Sequence, residues 1–321
     1  MTRDTQLIHA ALTRHLLAGR AITAVTPLST GHSNETYLLE GLDQILRLPP
    51  AGTPLLDGLD MARQFQLYAV LGRLPGAPPV PRVIYYCGDT NVLGAPFYLA
   101  ERIAGVPFDE YVVPDWLANA SEASRGELCR QYVGAYARLA KLRPLEALGP
   151  ITTAAAECMR WRRFAEIAGH ERLVEIMDRL IATPAPASGP PAPVNGDAKL
   201  GNILWLDMRL QSVLDWELAF NGEPLSELGY MLYMMDSLVA SGLPGMWRRE
   251  RMIAEWEHVS ERAARGIEWF EVAAGAKLTA IIAYGHYLAT SGRSTDARLA
   301  SLSPLVEHWT DRTACLLHSL A

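Results

Sequence analysis

VNGDAKLGNILWLDMRLQSVLDWE, residues Val194–Glu217, gathers acidic, basic and amide side chains around one predicted β-hairpin. The segments ILWLD and SVLDWE have the apolar content of two short strands, and DMRLQ between them is turn-like. Asp197 and Asn202 flank the start of the hairpin, whereas Asp215 follows an apolar run at its far end. A compact loop and hairpin can bring these three side chains together at one cavity.

The residue types around this hairpin suit the transfer of a phosphoryl group to a hydroxyl. Hard cations such as Mg²⁺ bind protein oxygens together with substrate phosphates, and Asn202 and Asp215 fit that demand. Asp197 could accept a proton from a hydroxyl nucleophile, and Lys199 could neutralise charge on the transferring group. The spacing of Asp197 and Asn202 is that of the protein-kinase catalytic loop, where positioning and electrostatics supply most of the catalysis.

Simpler roles for the same side chains stay open. Asp and Asn are common in turns because their side chains hydrogen-bond to nearby backbone groups, so any one of the three could be structural. Lys199 could equally be a solvated lysine. Trp216 is expected in the core, and Glu217 could support the site or contact the metal shell. A metal-dependent hydrolase would need more ligands, and no HExxH sequence supplies them.

The combination NGDAKLGNILW…SVLDWELAFNGEPLSELGY resembles the aminoglycoside phosphotransferase (APH) family of small-molecule kinases. The family pattern is roughly HGDxxxxN, a strand that ends in IDWE, and then GDPxxDL. The sequence is especially similar to the branch related to the kinase-like domains fused to some acyl-CoA dehydrogenases. The resemblance implies ATP or GTP and Mg²⁺ as cofactors, Asp197 as the base, Lys199 as a phosphate contact, and Asn202 and Asp215 as metal ligands.

The resemblance extends upstream into the first part of the chain. LSTGHSNETYLL resembles the glycine-rich nucleotide loop of this branch, and ILRLPP resembles the strand that carries the phosphate-contacting basic residue. Gln64 stands where a helix glutamate pairs with that basic residue, and APFYLAERIAG resembles the strand and hinge that meet adenine through backbone groups. The residues that the resemblance implies for nucleotide binding are Gly31, His32, Ser33, Asn34, Arg47, Gln64, Ala100 and Arg102.

Several positions depart from the family pattern. Asn195 replaces the His before Gly-Asp, and an Asn can still support the loop through hydrogen bonds. Arg47 replaces the strand Lys; it is permanently charged and can grip phosphate with two N–H groups, but it is longer and planar. Gln64 offers Arg47 a carbonyl oxygen without a counter-charge, and Glu223 and Glu227 stand where Asp is usual. These changes motivate an alternative function, a catalytically weak, pseudokinase-like nucleotide-binding protein.

Strand and helix signals divide the chain into two unlike parts. NETYLLEG, QILRLPP, VPRVIYYCGD and APFYLAERI have the features of strands, and one helix is expected within residues 58–74. Mostly helical segments follow. The predicted fold class is α+β, a protein-kinase-like bilobal fold with a small, mainly antiparallel β N-terminal lobe around one main helix and a larger, mostly helical C-terminal lobe. The predicted lobes are a nucleotide-binding lobe, 1–103, and a catalytic and acceptor-binding lobe, 104–321.

Helical periodicity marks the start of the chain and most of its second part. The opening MTRDTQLIHAALTRHLLAG is expected to be an amphipathic helix rather than a signal peptide. Further helices are expected within 121–142, 155–183, 223–241, 245–266 and 269–292. TPAPASGPPAP, Thr183–Pro193, could be an interdomain linker, but an ordered surface loop is expected because the motif begins directly after it.

Charge and cysteine content limit the class of protein. The 321 residues carry a net charge of −6, which argues against general nucleic-acid binding because that needs a basic surface. No segment approaches the ~18 apolar residues of a membrane span, so no membrane partner is expected. The four cysteines are scattered without a CxxC pair, which argues against a disulfide framework or structural zinc and favours a reducing, cytoplasmic location.

The expected partner is a small-molecule hydroxyl acceptor, and the sequence leaves its identity and the oligomeric state open. The resemblance admits antibiotics, sugars, amino alcohols and hydroxyacyl thioesters. Aminoglycosides are polycations that favour a dense acidic pocket, whereas the C-terminal helices mix charges, as in RRERMIAEWEHVSER, so a metabolic acceptor ranks above an antibiotic. His286 could line the acceptor pocket or simply pack in the core. The arginines of RWRR and WRRER could bind an anionic acceptor or lie on solvated helix faces.

Overall fold

An antiparallel sheet of five strands forms the N-terminal part of the protein. The computed structural model describes residues 3–16, 22–28, 34–52, 55, 60–108, 112–237, 242–294, 297–301 and 303–320. The strands of this sheet are β1 (Ala24–Pro27), β2 (Glu35–Glu40), β3 (Gln44–Leu48), β4 (Val83–Cys87) and β5 (Phe97–Glu101). They lie in the order β1-β2-β3-β5-β4. The register pairs Arg47 with Thr36 on one side and with Tyr98 on the other.

Side chains alternate along these strands, so the sheet has two apolar faces, and each is covered by a helix. The helices of this lobe are α1 (Thr5–His15), α2 (Met61–Leu71) and the short α3 (Thr90–Leu93). Phe97 and Ile8 share the buried cluster between the sheet and α1. On the opposite face Tyr98 meets Tyr68 of α2, and their ring centroids are 6.2 Å apart. The amphipathic first helix and the single main helix under the sheet are both confirmed.

Two small sheets follow and carry the motif. Their strands are β6 (Val106–Pro107), β7 (Ala192–Val194), β8 (Ile203–Leu206), β9 (Arg209–Val213) and β10 (Phe220–Gly222). Strand β8 pairs with both β6 and β9, and β7 pairs with β10, all antiparallel. The hairpin expected from the sequence is therefore β8–β9, and it ends two residues before Asp215.

The remainder of the described chain is mostly helical. Its helices are α4 (Asp115–Ala118), α5 (Glu122–Ala137), α6 (Ala154–Ile167), α7 (Glu171–Ala182), α8 (Leu225–Ser237), α9 (Arg249–Ser260), α10 (Ile267–Thr290), α11 (Ala297–Ala300) and α12 (Ser303–His318). One buried cluster runs from Tyr68 of α2 through Tyr132, Trp161 and Tyr233 of the helical lobe. The α+β class with a helical second lobe is confirmed, while the boundary after residue 103 stays a prediction. Within the described ranges, every helix is too short or too polar to cross a membrane.

The expectation of one helix over 155–183 is wrong. Two helices, α6 and α7, occupy this range, and the chain turns between them at Gly169, whose φ is +70°. A left-handed residue ends a helix because it cannot continue the right-handed hydrogen-bond pattern. The segment after α7 is an ordered surface loop, as expected: Ser188 bonds to Glu223, and Arg262 donates to the Pro190 carbonyl at 2.6 Å.

Candidate active site

Asp197 lies on a loop between β7 and a 3₁₀ turn, Leu200–Asn202, and Asn195 holds this loop in place. The Asn195 side-chain oxygen accepts from the Asp197 backbone N–H at 3.0 Å. Its amide nitrogen donates to the Asp215 carbonyl oxygen at 3.1 Å. Asn195 therefore connects the catalytic loop to the segment that carries the second acid, which is the supporting part expected for it.

The Asp197 carboxylate is nearly buried and has contacts at both oxygens. Asn202 donates to Oδ2 at 2.7 Å, and the Lys199 ammonium lies 3.4 Å from the same atom. The Tyr230 hydroxyl donates to Oδ1. Burial alone would raise the pKa of Asp197, but Lys199, Tyr230 and Asn202 together hold that pKa below its ordinary value. Asp197 is thus ionised at neutral pH and can accept a proton.

Asp215 lies beside Asn202 because the Leu214 N–H donates to the Asn202 backbone oxygen at 2.7 Å. Its Oδ1 atom is buried, and in the described part of the chain no hydrogen bond reaches it. Arg47 Nη2 is 3.7 Å from that atom. Burial raises the pKa of Asp215, and Arg47 opposes the shift. An orphaned carboxylate oxygen in this place is what a hard cation would satisfy.

Asn202 complements Asp215 as an oxygen ligand. Both hydrogen bonds that its side chain donates leave from Nδ2, towards Asp197, so its amide oxygen can face a cation. Among the described residues no three His, Cys, Asp or Glu side chains cluster as a metal site. Mg²⁺ needs no such cluster, because it binds proteins through few side chains and completes its shell with phosphate and water.

Arg47 lies on β3, and its guanidinium has Asp215, Tyr98 and, on α2, Tyr68 among its neighbours. Its Nη1 atom donates to the Thr36 hydroxyl at 2.9 Å. Gln64 is 5% exposed, its Nε2 atom lacks a partner within the described ranges, and no hydrogen bond joins it to Arg47 there. The hydrogen bond that Gln64 could accept from Arg47 is therefore not seen among the described residues, and the role of Gln64 stays a prediction.

The segment implied as the nucleotide loop meets the motif at Asn34. Asn34 Nδ2 donates to Glu217 Oε2 at 2.7 Å. This contact gives Glu217 the supporting role that was one of its two expected roles. Trp216 is 2% exposed and donates to the Val213 carbonyl, so it is a core residue as expected. Gly31, His32 and Ser33, the other residues implied for this loop, lie outside the described residues.

The two implied adenine contacts occupy different settings. Ala100 lies within β5 and is paired to Ile45 and to Val83 on its two sides. Arg102 follows the end of that strand, and its exposed side chain forms an ion pair with Asp43 at 3.0 Å. The role of both residues in nucleotide binding remains a prediction.

The structure adds three residues to the site that sequence reasoning did not assign. Glu227 is 2% exposed and accepts from the backbone N–H groups of Asn195 and Gly196. Burial raises the pKa of Glu227 to about 7, although these hydrogen bonds lower it. Tyr230, one turn further along α8, contacts Asp197 as described. Lys277 of α10 donates to the Gly196 carbonyl at 2.6 Å.

A cavity opens beside this loop, between α6, α8 and α10. Its volume is about 40 Å³. Tyr230 and Lys277 lie on its wall, together with Gly196. Most of the remaining wall is apolar or aromatic, formed by Ala154, Cys158, Trp161, Val194, Phe220, Trp269, Phe270, Ala273 and Ala274. Tyr230 thus contacts Asp197 and also lines the cavity, so the cavity lies next to Asp197.

The remaining candidates from the sequence lie elsewhere. Arg162 forms ion pairs with Glu166 and Asp178 on an exposed surface. Arg249 forms ion pairs with acidic residues of α10. Both arginines therefore match the expectation of charged helix faces. His286 does not line the cavity, and its Nδ1 atom has no hydrogen-bond partner within the described residues.

Comparison with known proteins gives one family. The model of the phosphotransferase enzyme family, APH, matches residues 24–269. Among curated relatives, acyl-CoA dehydrogenase family member 11 of Rattus norvegicus is 29% identical over 248 residues, which are 71% of this chain and 31% of the relative. The protein of that name from Homo sapiens is 29% identical over 246 residues, 71% of this chain and 30% of the relative. The chain therefore spans less than a third of these relatives.

Solved structures share the fold over nearly the whole chain. A protein of Ralstonia eutropha JMP134, proposed to be an aminoglycoside phosphotransferase, superposes with a TM-score of 0.74 at 18% identity, covering 98% of both chains. A thermostable mutant of aminoglycoside phosphotransferase APH(4)-Ia, in ternary complex with AMP-PNP and hygromycin B, gives a TM-score of 0.62 at 14% identity, with 94% and 95% of the chains covered. The kinase-like fold predicted from the motif is confirmed by these neighbours, and with its matched family model the chain belongs to the phosphotransferase enzyme family, APH.

Proposed function

We propose that this protein is an ATP- and Mg²⁺-dependent kinase that transfers the γ-phosphoryl group of ATP, or of GTP, to a hydroxyl of a small molecule. Asp197 is the general base that accepts the hydroxyl proton. Lys199 and Arg47 steady the phosphates. Asn202 and Asp215 would hold Mg²⁺, which supplies charge neutralisation on the phosphate oxygens. The free thiols of all four cysteines accord with a cytoplasmic location, which is part of the same proposal.

The observation that carries the proposal is that Asp197, Asn202 and Asp215 lie together and that the pKa values of the two aspartates are shifted in opposite directions. Lys199, Tyr230 and Asn202 lower the pKa of the first acid, so it is ready to accept a proton. The second acid has a buried oxygen that receives no hydrogen bond from the described residues, which suits a cation. A base beside a cation site is the arrangement that phosphoryl transfer to an alcohol requires. Related structures with AMP-PNP and with ADP support a nucleotide as the donor.

Catalysis in this site rests on position and charge. The hydroxyl of the acceptor would replace the Tyr230 hydroxyl or share Asp197 with it. Its proton would pass to the carboxylate as the new O–P bond forms and the bond from the γ-phosphorus to the bridging oxygen of ADP breaks, so that ADP leaves. Lys199 lies within 3.4 Å of the same carboxylate, so it can follow the negative charge from Asp197 to the phosphoryl oxygens. Asn202 keeps the carboxylate oriented through its bond to Oδ2.

A weakly catalytic, nucleotide-binding role is the second candidate, and one contact favours it. Arg47 approaches Asp215 at 3.7 Å, whereas Gln64 provides no counter-charge on α2. An arginine beside a metal ligand competes with the cation for the carboxylate. Under this alternative, nucleotide would bind with little dependence on Mg²⁺.

Calorimetry with ATP separates the two candidates. Wild-type protein should bind ATP more tightly with Mg²⁺ than without it, and Asp215→Ala should lose that difference. Asp197→Ala should keep Mg²⁺-dependent binding and lose ADP release with any acceptor, because it lacks only the base. Binding that is independent of Mg²⁺ in the wild type would favour the weakly catalytic alternative, and loss of nucleotide binding in Asp197→Ala would make that residue structural.

A further inference from the structure

Lys277 is a buried cation in an otherwise apolar stretch of α10, AAGAKLTAII. It is 7% exposed, and its ammonium lies 5.0 Å from the Trp161 ring centroid and 5.6 Å from the Tyr230 ring centroid. Burying a charge is costly unless hydrogen bonds compensate it. The cost of burying the Lys277 ammonium must therefore be offset by polar or charged partners.

The ammonium has more donors than the described residues use. It carries three N–H groups. One reaches the Gly196 carbonyl at 2.6 Å. The Glu157 carboxylate is 3.8 Å away, which is too far for a hydrogen bond. The remaining donors lie on the wall of the cavity, so oxygen atoms inside the cavity are the partners that would satisfy them.

Glu157 does not offer a site for a positively charged acceptor. Its carboxylate accepts from the Trp161 indole N–H at 2.6 Å. Besides Lys277, Arg160 also lies 3.8 Å from it, from the solvent side. A further cation would meet two positive charges around a carboxylate that is already engaged. Lys277 and Arg160 therefore disfavour a further ammonium group beside Glu157, and the donors of Lys277 favour oxygen atoms on that side of the cavity.

The size and lining of the cavity limit the group that enters it. About 40 Å³ holds roughly three water-sized groups, so only the polar end of an acceptor enters the cavity, and a larger frame extends outwards along its apolar wall. Trp161, Trp269 and Phe270 contribute aromatic walls, so an apolar frame is favoured around the polar point that Lys277 provides. Tyr230 connects this wall to Asp197, which puts the cavity next to the reacting hydroxyl.

We propose that this cavity selects the acceptor, and that Lys277 donates a hydrogen bond to a carbonyl oxygen, the second oxygen of a hydroxy compound that has an apolar frame and no positive charge. The inference rests on the phosphotransferase function proposed above and specifies the acceptor class of that same site. Lys277 is a specificity-determining residue in this account. Polycationic alcohols, aminoglycosides included, are poor acceptors.

Three probes on one frame test the proposal. Benzyl 3-hydroxybutyrate has the second oxygen as a carbonyl, 4-(benzyloxy)butan-2-ol replaces that carbonyl by a methylene, and 4-(benzylamino)butan-2-ol carries an ammonium. Dissociation constants come from ligand-observed NMR with AMP-PNP and Mg²⁺ present. The proteins are the wild type, Lys277→Met and the matched control Arg160→Met, which removes a cation from the same Trp161 and Glu157 at a more exposed position.

The wild type should bind the ester about tenfold or more tightly than the ether, as a hydrogen bond from a charged donor predicts, and the ammonium probe weakest. Lys277→Met should bring the ester-to-ether ratio close to one, whereas Arg160→Met should leave it within about twofold. The ratio separates recognition from a folding defect, since a damaged cavity weakens both probes alike. Nucleotide affinity of each variant reports whether the lobes remain intact.

Other outcomes overturn the inference. An ester-to-ether ratio unchanged in Lys277→Met, an ammonium probe that binds as well as the ester, or no ester binding to the wild type would each do so. The nucleotide titration keeps the two proposals apart. Absence of Mg²⁺–nucleotide binding in the wild type is a failure of the proposed function, while normal nucleotide binding without discrimination among the probes is a failure of this inference alone.

Discussion

Gly196, between Asn195 and Asp197, should tolerate no side chain. Its φ is +81°, a conformation in which an L-residue costs about 1–2 kcal/mol. A Cβ there would lie 2.6 Å from the Leu218 carbonyl oxygen, and that neighbour is backbone, which cannot rotate away. Relieving such an overlap costs a further ~1–3 kcal/mol. Gly196→Ala should therefore lower the free energy of unfolding by about 2–5 kcal/mol.

The matched control for this substitution is Gly169→Ala. Gly169 has a similar φ, +70°, but a Cβ there would meet no heavy atom within 4 Å. It should cost only the backbone part, about 1–2 kcal/mol. Urea titrations of the two variants at one pH give the difference between their free energies of unfolding. We attribute that difference to the overlap with Leu218. Equal losses in the two variants would refute the reasoning, because they would show that the overlap has no cost.

Gly196→Ala should also impair turnover beyond its effect on stability. Gly196 donates to Glu227 and accepts from Lys277, so its displacement moves the adjacent Asp197. A shift of about 1 Å in a catalytic group can cost about a hundredfold in rate. ADP release by the folded variant, measured at a temperature where both variants are native, should fall far more than it does in Gly169→Ala. Normal turnover in Gly196→Ala would mean that the loop does not depend on this close approach.

Further substitutions test other parts of the site. Glu227→Gln should flatten the pH dependence of stability. The pKa of Glu227 is raised from 4.5 to about 7 in the folded protein, so native Glu227 keeps a proton that the unfolded chain releases between these two values. The wild type therefore loses stability as the pH rises from about 4.5 to about 7. The free energy of unfolding should fall by about 3 kcal/mol across this pH range, and urea titrations below and above it should find that fall in the wild type only. An equal fall in Glu227→Gln would show that Glu227 is not the titrating group. Tyr230→Phe removes a hydrogen bond that lowers the pKa of Asp197, so the basic group in the pH–rate profile should titrate at higher pH with nucleotide affinity unchanged. An unchanged pH–rate profile would show that the hydrogen bond from Tyr230 does not affect the pKa of the catalytic base. Gln64→Met should change the free energy of unfolding by less than about 1 kcal/mol, because Nε2 has no partner among the described residues. A loss above about 2 kcal/mol, with weaker ATP binding by calorimetry, would instead show that Gln64 supports Arg47.

The local parts of the site were predictable from the sequence. Asp197 and Asn202 are separated by one tight turn, and Asp215 follows the hairpin that the turn starts, so their spacing determines their proximity. The alternation of apolar residues in the first hundred or so positions likewise predicts the strands of the N-terminal sheet. The break between α6 and α7 was missed because Gly169 lies within an otherwise continuous helical pattern, and a single Gly is often tolerated inside a helix.

Contacts between distant segments were decided only by the tertiary structure. Tyr230 and Lys277 lie 33 and 81 residues from their partners on the Asp197 loop; although Tyr230 ends the stretch that resembles the family, the sequence indicates neither contact. The packing of α8 and α10 against the loop brings them there, and the burial that results raises the pKa of Glu227 and lowers the pKa of Lys277. Arg47 shows the same limit, since its approach to Asp215 rather than to Gln64 depends on how the sheet lies over the hairpin. The sequence by itself determined the chemistry available to this protein, through the residues of one hairpin and its loop. The tertiary structure alone decided the electrostatic surroundings of that chemistry, because charge, burial and hydrogen bonding depend on distances between segments that are remote along the chain.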